Sequence, residues 1–514
     1  MVQQASSERG EIGSVTADDD SPSFDTFRFK ANANEYVYPG TLITTFIDAN
    51  KFIIGRISSS LEVNPHESAS RAKVREVMDF ASDYPSEEYS TSIYRVYEAN
   101  VIEEAIWDEQ NERWFITEPS DMPRAGSPVF IPTEQIIAQA MGFETEAHNA
   151  LCLGRTRITG DDNVFDNDNV GNNVLLKRSV IQRHIFVGGT TGSGKSYSTG
   201  ILLEEINRFN VPIVILDSQN EYIGLAIGLG GKVLEPGKDY TVRLSSLTEQ
   251  EALDLVPTLP DVGRNLFAFT FLRLKREIRN HQRQEFGLND LLTEMENDAS
   301  ALEVKANSLQ IALQRTRSSL ERHKFLGHST NWASQLKKSA VINVNCSSLD
   351  RGQLQLVVGA TLRELQQLRI GNKIPPYVAV LDEAHLLVPE GEDSPCKQII
   401  REGVRIGRHY GICMILITQS PVDIDKKTIR QCNTRLIFAL EPDQLDSIKG
   451  VRADATDDML KRLPKMPQGT CILSGTYETI KHGIPIKIRS DRKTPTGGAT
   501  PDIFKELEDE IWAH

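Results

Sequence analysis

The sequence predicts an α/β fold built on a parallel sheet, with a helical insertion in the core and a small β-barrel in front of it. The first observation is a series of strands that are apolar throughout and separated by helical segments, which is typical of a parallel sheet covered on both faces. The second is the glycine-rich pattern Gly189-x-x-x-x-Gly194-Lys195-Ser196, which lies between an apolar strand and a helical segment. The third is a run of short strands with frequent turns in residues 25–150.

Residues 1–24 and 25–150 differ sharply in composition. The first segment is polar and rich in Ser, Asp and Glu, so we expect a disordered tail. The second segment has apolar or alternating runs bounded by turn residues, which indicates a small β-barrel or sandwich. The expected strands include residues 36–38, 42–46, 52–57, 94–97 and 126–132.

Residues 173–489 carry the α/β pattern, and residues 490–514 read as a C-terminal tail. The insertion, residues 248–326, lacks a strong strand signal and spaces its leucines as amphipathic helices do. Its basic clusters, such as the one at Arg273, face DNA in one interpretation and solvent in the simpler one. Residues 161–169 are acidic and Asn-rich, which favours a solvated turn over a metal site. The core strands are expected at Ile185 and at residues 212–216, 340–344, 377–381, 412–417 and 435–439.

Composition limits the functional classes. The chain has 514 residues, 39% of them hydrophobic, which is enough for more than one packed domain. A formal net charge of −14 argues against a protein that coats nucleic acid, although a locally basic surface would still bind DNA. Six scattered cysteines without a C-x-x-C pair indicate buried thiols in a reducing compartment. Without a long apolar run or a secretory leader, we expect a soluble cytoplasmic protein with no membrane partner.

The glycine-rich pattern has the residue types that a nucleotide phosphate requires. Glycines let the backbone fold around an anion, and the following helix adds its positive pole. Lys195 is expected to reach the β- and γ-phosphates of ATP, and the Ser196 hydroxyl to be a ligand of Mg²⁺. The predicted nucleotide-binding residues of this loop are Gly189, Thr190, Thr191, Gly192, Ser193, Gly194, Lys195 and Ser196.

An acidic pair supplies the rest of the hydrolytic chemistry. The strand at residues 377–381 ends in Asp382 and Glu383, at the edge of a parallel sheet where ligands bind. Asp382 is predicted to hold Mg²⁺ through water, and Glu383 to polarise the attacking water. Gln419, at the end of the next strand, is predicted to sense the γ-phosphate, the alternative being a polar strand end without such a role. A water-directed glutamate indicates an ATPase rather than a nucleotide kinase.

Three arginines, Arg401, Arg405 and Arg408, lie between the acidic strand and the Gln419 strand. A guanidinium is planar, permanently charged and bidentate, which suits a contact with the γ-phosphate. One of the three is therefore a candidate for an arginine finger that acts across a subunit boundary. Arginines on surface helices are also common salt-bridge partners, and the residues themselves do not choose among the three.

These motifs, in this order, resemble the HerA family of hexameric DNA translocases, within the larger HerA–FtsK group of ring ATPases. The resemblance implies a RecA-like P-loop ATPase core and the small N-terminal barrel that such proteins carry. It covers residues 173–489 and rests on Arg183 and His184 before the loop and on segments 217–222, 382–385, 401–408, 415–421 and 431–434.

The resemblance also implies an assembly and further site residues. It implies a homohexamer with ATP between subunits and DNA, in duplex form, threading the central pore. It marks Arg408 as the trans finger, Arg183 as a second nucleotide contact and Glu221 as an acid near the site. The basic segment 425–430 is a candidate DNA contact, or else a solvated run of charges.

The resemblance further suggests partners. Family members work with a separate effector, a NurA-like nuclease in archaea or, in bacteria, a Sir2-like NADase or a nuclease in phage defence. The expected function is an ATP-driven DNA translocase or helicase in DNA end processing or antiviral defence, with the barrel as the docking surface. One alternative is an ATP-binding ring scaffold that assembles and regulates an effector with little motor activity. Another is a conjugation or secretion ATPase of the same superfamily.

The chain departs from the family pattern in two loops. Gln219 and Asn220 stand where the family commonly has His and Gly. Ser420 and Pro421 stand where it commonly has Arg and Pro. Both departures concern the local geometry of loops next to the predicted site.

Overall fold

The chain folds into two compact units, seen in a computed structural model. The structure describes residues 6–17, 21–32, 35–37, 39–63, 94–156, 172–328, 330–451, 453–495 and 497. The first unit draws on residues 1–180, 192–194 and 434–491, and the second on residues 181–191, 195–433 and 492–514. The acidic segment 161–169 and the C-terminal tail from residue 498 onward lie outside the described residues.

Strands predominate at the two ends of the described chain and helices in its middle. The strands are β1 (Ser6–Val15), β2 (Thr26–Ala31), β3 (Leu42–Asp48), β4 (Lys51–Val63), β5 (Tyr94–Asp108), β6 (Arg113–Thr117), β7 (Pro128–Pro132), β8 (Ala150–Thr156), β9 (Asn173–Lys177), β10 (His184–Gly188), β11 (Ile213–Asp217), β12 (Lys232–Leu234), β13 (Val341–Asn345), β14 (Tyr377–Leu381), β15 (Ile412–Thr418), β16 (Cys432–Ile437), β17 (Thr470–Gly475) and β18 (Ile484–Ile488). The α-helices are α1 (Glu134–Met141), α2 (Lys195–Arg208), α3 (Ile223–Gly228), α4 (Glu249–Asp254), α5 (Asp261–Arg279), α6 (Leu288–Ala301), α7 (Ala306–Leu320), α8 (Trp332–Gln335), α9 (Arg351–Ile370), α10 (Ala384–Leu387), α11 (Lys397–Tyr410), α12 (Lys426–Arg430), α13 (Leu445–Lys449) and α14 (Asp457–Arg462).

The first unit contains the predicted β-barrel. Its strands follow the order β2-β1-β7-β3-β4-β5, and a pairing between β2 and β5 closes the ring. Strand β6 pairs with β5 outside the closed ring, as the far arm of a hairpin. Alternation along the strands sends apolar side chains inward, and the core they form includes Ile12, Phe27, Phe29, Ile43, Tyr97, Ala99 and Val129.

The prediction of a disordered tail over residues 1–24 was wrong for ten of these residues. Residues 6–15 form strand β1, which pairs antiparallel with both β2 and β7. The polar composition misled the prediction because a strand inside a barrel is held by main-chain hydrogen bonds on both sides, and few apolar residues suffice. Ile12 and Val15 supply them, with 0% and 3% exposure. Conversely, Val37 lies outside any strand, and its amide donates to the Tyr97 hydroxyl.

A second set of strands in the first unit is antiparallel. Their order is β16-β17-β18-β8-β9, and each neighbouring pair runs in opposite directions. Strand β16, predicted over residues 435–439, pairs antiparallel with β17. An apolar run identifies a buried strand but does not encode its direction.

The second unit holds the predicted parallel sheet. Its strands follow the order β12-β13-β11-β14-β15-β10, and the pairings within β13-β11-β14-β15-β10 are all parallel. Each of β10, β11, β13, β14 and β15 is buried along its whole length, as expected for strands covered on both faces. Strand β12 was not predicted, since its three residues carry no periodic signal.

The insertion is helical, as predicted, and its helices α5, α6 and α7 pack on one another. Arg273 of α5, considered above as a DNA contact, instead forms ion pairs with Glu277, Glu294 and Asp298 at 2.6, 2.6 and 3.1 Å. Three carboxylates within the bundle therefore neutralise this guanidinium. Among the described residues, no helix combines the length and the apolar character that crossing a bilayer requires.

Candidate nucleotide site

The candidate site lies at the carboxyl edge of the parallel sheet. Strand β15 runs between β10 and β14, and its pairings align Gly188 with Thr418 and Leu381 with Leu416. Since parallel strands end at the same edge, the loops that follow β10, β14 and β15 leave the sheet side by side. The glycine-rich loop, the acidic pair and Gln419 thus come from adjacent strands.

The glycine-rich loop has the backbone of an anion-binding turn. Gly192 and Gly194 have φ angles of 78° and 105°, a region that residues with a side chain rarely adopt. Helix α2 begins at Lys195, so its positive pole faces the loop. Lys195 is 9% exposed, and its ammonium donates to the Thr190 carbonyl oxygen over 2.8 Å.

The loop between β11 and α3, residues 217–222, lies against the start of α2. The Ser196 hydroxyl donates to the Glu221 carboxylate. The buried Asp217 carboxylate fixes the loop by accepting from the amides of Glu221 and Tyr222 at 3.0 and 2.9 Å. The structure therefore brings Glu221 to the hydroxyl that was predicted to hold Mg²⁺.

Asp382 and Glu383 follow β14 and are 4% and 6% exposed. Asp382 accepts a hydrogen bond of 2.9 Å from the Ser218 hydroxyl. Burial, followed by the charges of Glu383 and Asp217, raises the pKa of Asp382 to about 8 despite that hydrogen bond. In this environment the charged form of the carboxyl group is strongly favoured only when a cation binds beside it.

Glu383 has an unusual backbone and a specific partner. Its φ and ψ are 46° and 50°, the left-handed conformation, which costs a residue with a side chain about 1 kcal/mol or more. The side-chain amide nitrogen of Gln219, Nε2, donates to Glu383 Oε1 over 2.8 Å. His385 Nδ1 lies 3.1 Å from Glu383 Oε2 and 3.1 Å from the Thr418 hydroxyl.

Gln419 is joined to the glycine-rich loop. Its side-chain oxygen accepts from the Thr191 hydroxyl over 2.8 Å. The Thr418 hydroxyl accepts from the Ser420 amide at 3.0 Å and lies within reach of His385. Polar contacts therefore run from the loop, through the end of β15, to the acidic pair on β14.

The electrostatics of the site suit an anion together with a cation. Burial lowers the pKa of Lys195, and the charges of Glu383, Glu221 and Asp382 oppose that effect, which places all three carboxylates in its field. Among the described residues, no cluster of three or more His, Cys, Asp and Glu side chains could hold a metal ion alone. One hydroxyl beside carboxylates fits Mg²⁺ nonetheless, because this ion keeps several water ligands and takes others from phosphates.

Arg183 is not brought to the site of its own chain. It precedes β10, whereas the glycine-rich loop follows that strand. Five residues at about 3.3 Å each put roughly 17 Å between them. The structure therefore does not bring Arg183 to the glycine-rich loop of its own chain.

The three candidate arginines all lie on helix α11, but their surroundings differ. Arg401 is paired with Asp425 through two hydrogen bonds of 3.1 and 2.6 Å, so it is engaged within its own chain. Arg405 and Arg408 are exposed and form no hydrogen bond or ion pair within the described part of the chain. Gly407 lies against the ring of His184, the first residue of β10, since a Cβ at position 407 would be 2.9 Å from that ring. Arg408, the next residue, is therefore at the same edge of the sheet as Arg183.

Ser218 and His385 lie in segments that carry the family resemblance, but the sequence analysis gave them no role, and it noted Gln219 only as a departure from the family pattern. Each of these side chains contacts one of the two acids. Their common signal is a polar residue just after a buried strand, in a sheet whose neighbouring strand carries the acids. That signal becomes readable only when the strand order is known.

Comparisons with known proteins agree with this geometry. Residues 164–365 match the family model described as "Helicase HerA, central domain". The DNA double-strand break repair helicase HerA of Sulfolobus acidocaldarius is 24% identical over 413 residues, which cover 76% of this chain and 78% of the relative. The protein of the same name from Pyrococcus furiosus is 22% identical over 380 residues, with coverages of 61% and 68%.

A solved structure supports the fold. VirB4 of Thermoanaerobacter pseudethanolicus superposes with a TM-score of 0.51 at 16% identity, over 68% of this chain and 98% of that one. At this identity the likeness concerns the fold, which is a RecA-like P-loop ATPase core. Taken with the loop, the acidic pair and the relatives, it leads to one conclusion: the chain is a P-loop ATPase whose residues 164–365 are similar to the central domain of the HerA helicases.

Proposed function

We propose that the chain is the subunit of a homohexameric motor that couples ATP hydrolysis to the translocation of duplex DNA. The observation that carries the proposal is the position of Arg408 and Arg183. Both lie at the amino edge of the sheet, opposite the chain's own glycine-rich loop. Residues suited to a phosphate contact are thus held where only the nucleotide of a neighbouring subunit would meet them.

Within one subunit, the residues divide the work of hydrolysis. Main-chain amides of the glycine-rich loop and the Lys195 ammonium bind the phosphates. Ser196, directly, and Asp382, through water, would hold Mg²⁺, which supplies charge neutralisation at the phosphate oxygens. Glu383 accepts the proton of the attacking water. Gln419 sits between the loop and the acidic pair, where a change at the γ-phosphate alters its bond with Thr191.

The catalytic arginine is proposed to act in trans. Arg401 holds Asp425 and thereby the start of α12, which gives it a structural role. Arg408 has no comparable partner among the described residues and is solvent-exposed. A finger from the neighbouring subunit would stabilise charge on the transferred phosphate and make hydrolysis depend on assembly.

DNA as the substrate rests on the relatives, whose names describe helicases for double-strand break repair. With a net charge of −14, the DNA contact has to be local rather than spread over the surface. Helix α12 is the proposed DNA contact. Asp425 caps its start, and Lys427 on this helix is exposed. The separate effector, a NurA-like nuclease or a Sir2-like NADase, is proposed to dock on the barrel, in DNA end processing or antiviral defence.

Mixed rings test the trans arrangement. Lys195→Ala and Arg408→Ala should each abolish ATP hydrolysis. An equimolar mixture should regain part of it, because roughly a quarter of randomly formed interfaces join an intact loop to an intact arginine. Arg405→Ala, from the same exposed face of α11, is the matched control and should hydrolyse ATP normally. Full activity of Arg408→Ala, or no recovery in the mixture, would contradict the proposal.

Glu383→Gln separates the motor from the scaffold alternative. The variant should bind ATP with wild-type affinity but fail to displace the third strand of a DNA triplex placed on duplex DNA. If it supports full effector activity in the assembled complex, ATP serves as an assembly ligand and the motor proposal fails.

A further inference from the structure

We infer that Gln219 is a positioning residue for ATP hydrolysis, which fixes the orientation of the Glu383 carboxylate through its Oε1 atom. This inference rests on the proposed role of Glu383 as the acceptor of the water proton. It assigns a task to a residue at which the chain departs from the pattern of its family.

The two oxygens of Glu383 have different surroundings. Oε1 accepts a hydrogen bond of 2.8 Å from the side-chain amide of Gln219. Oε2 is buried, and its neighbour is His385 Nδ1 at 3.1 Å. The carboxylate is therefore enclosed on both sides, by Gln219 at Oε1 and by His385 at Oε2.

The backbone does not hold the carboxylate by itself. Glu383 is the left-handed residue between β14 and the four-residue helix α10. Its side chain therefore leaves a sharp turn, with rotatable bonds between the strand and the carboxylate. A general base must lie within hydrogen-bond reach of the proton that it accepts, so its orientation has to come from a neighbouring group. The Gln219 amide is the hydrogen-bond donor placed to supply it.

Gln219 can be replaced without dismantling its loop. Asp217, which is fully buried, holds the loop by accepting from the main-chain amides of Gln219, Glu221 and Tyr222 at 3.3, 3.0 and 2.9 Å. None of these bonds uses the Gln219 side chain. A substitution at Gln219 therefore removes the contact with Glu383 while the loop conformation persists.

The same loop touches the start of α2. Glu221 accepts from the Ser196 hydroxyl, which the proposed function assigns to Mg²⁺. A metal ion held by that hydroxyl would compete with this contact between α2 and the loop that carries Gln219.

The test compares variants in the assembled, full-length protein with ATP as substrate. Gln219→Leu has a similar size but no donor, and kcat should fall about tenfold, the usual effect of one hydrogen bond to a charged group, with KM unchanged. Gln219→His retains an N–H donor and should restore most of kcat. Gln219→Glu places a second carboxylate against Glu383 and should lose more than Gln219→Leu.

Two controls keep the outcomes distinct. In a Glu383→Gln background, Gln219→Leu should cause no further loss, because the two residues act through one group. If Glu383→Gln is inactive while Gln219→Leu keeps wild-type kcat, the inference about Gln219 fails and the proposed function stands. If Glu383→Gln retains kcat, the proposed role of Glu383 fails.

A structural role for Gln219 has a different signature. It would raise KM along with the loss of kcat, and Gln219→His would then be no better than Gln219→Leu. Should Gln219→Leu fold poorly, Gln219→Asn keeps the amide but is too short to reach Glu383, and it must show the same isolated loss of kcat for the inference to hold.

Discussion

Gly200→Ala should destabilise the protein in the wild-type background and stabilise it when Arg492 is absent. Gly200 lies on α2, where the Arg492 guanidinium covers it so closely that an added Cβ would be 2.2 Å from Cζ. That guanidinium donates to the Ser196 carbonyl, the Thr494 hydroxyl and the Pro495 carbonyl at 3.2, 3.1 and 2.8 Å. A methyl group at position 200 therefore displaces an arginine that holds three bonds.

The magnitude follows from two opposing effects. Loss of three hydrogen bonds from a half-buried cation costs about 2 kcal/mol, since water replaces part of each bond. Replacing a helical glycine with alanine returns about 1 kcal/mol. The net loss for Gly200→Ala is about 1 kcal/mol. In an Arg492→Ala background only the helical gain remains, so the same substitution should add about 1 kcal/mol.

Urea denaturation of the four proteins in this cycle gives the measurement, with the midpoint and slope recorded for each. The expected coupling between the two sites is about 2 kcal/mol. A Gly200→Ala effect of the same sign and size in both backgrounds would refute the reasoning, because it would show that the guanidinium moves aside without loss.

Three other predictions concern stability. Burial disfavours the charged form of His482, but its contacts with Asp454 and Glu103 outweigh burial and raise its pKa above 6.5. The loss of unfolding free energy in His482→Gln should therefore be largest below pH 6.5 and should disappear as pH rises through the pKa of the folded state. Urea titrations across that pH range measure this loss. Arg273→Ala should cost about 1–2 kcal/mol yet leave DNA affinity unchanged in a salt titration, whereas a DNA contact would lower the salt slope. Ile12→Ala should cost about 3 kcal/mol in thermal unfolding, and a disordered tail would show no effect.

Features that depend on neighbouring residues in the chain could be predicted closely. Strand β14 begins and ends where its apolar run does, at residues 377 and 381, because a strand buried on both faces needs apolar side chains throughout. The glycine-rich loop was equally clear, since its chemistry requires particular residues at fixed spacing.

Features that depend on sheet topology could not be read in this way. Arg183 is close to the glycine-rich loop in sequence, yet an intervening strand carries it to the opposite edge. Gln219 contacts Glu383 only because β11 and β14 are paired, with Leu216 beside Leu381. Strand β1 was missed because its partners β2 and β7, rather than its own composition, hold it in place.

The pairing of β8 with β18 has a consequence for synthesis on the ribosome. Thr156 lies opposite Ile486, so the nascent chain carries β8 with an unfilled edge while well over half of the protein is still being made. Such an edge is a template for unwanted strand addition. Polypeptides that terminate before β18 should accordingly aggregate or require a chaperone, even when their ATPase core is complete.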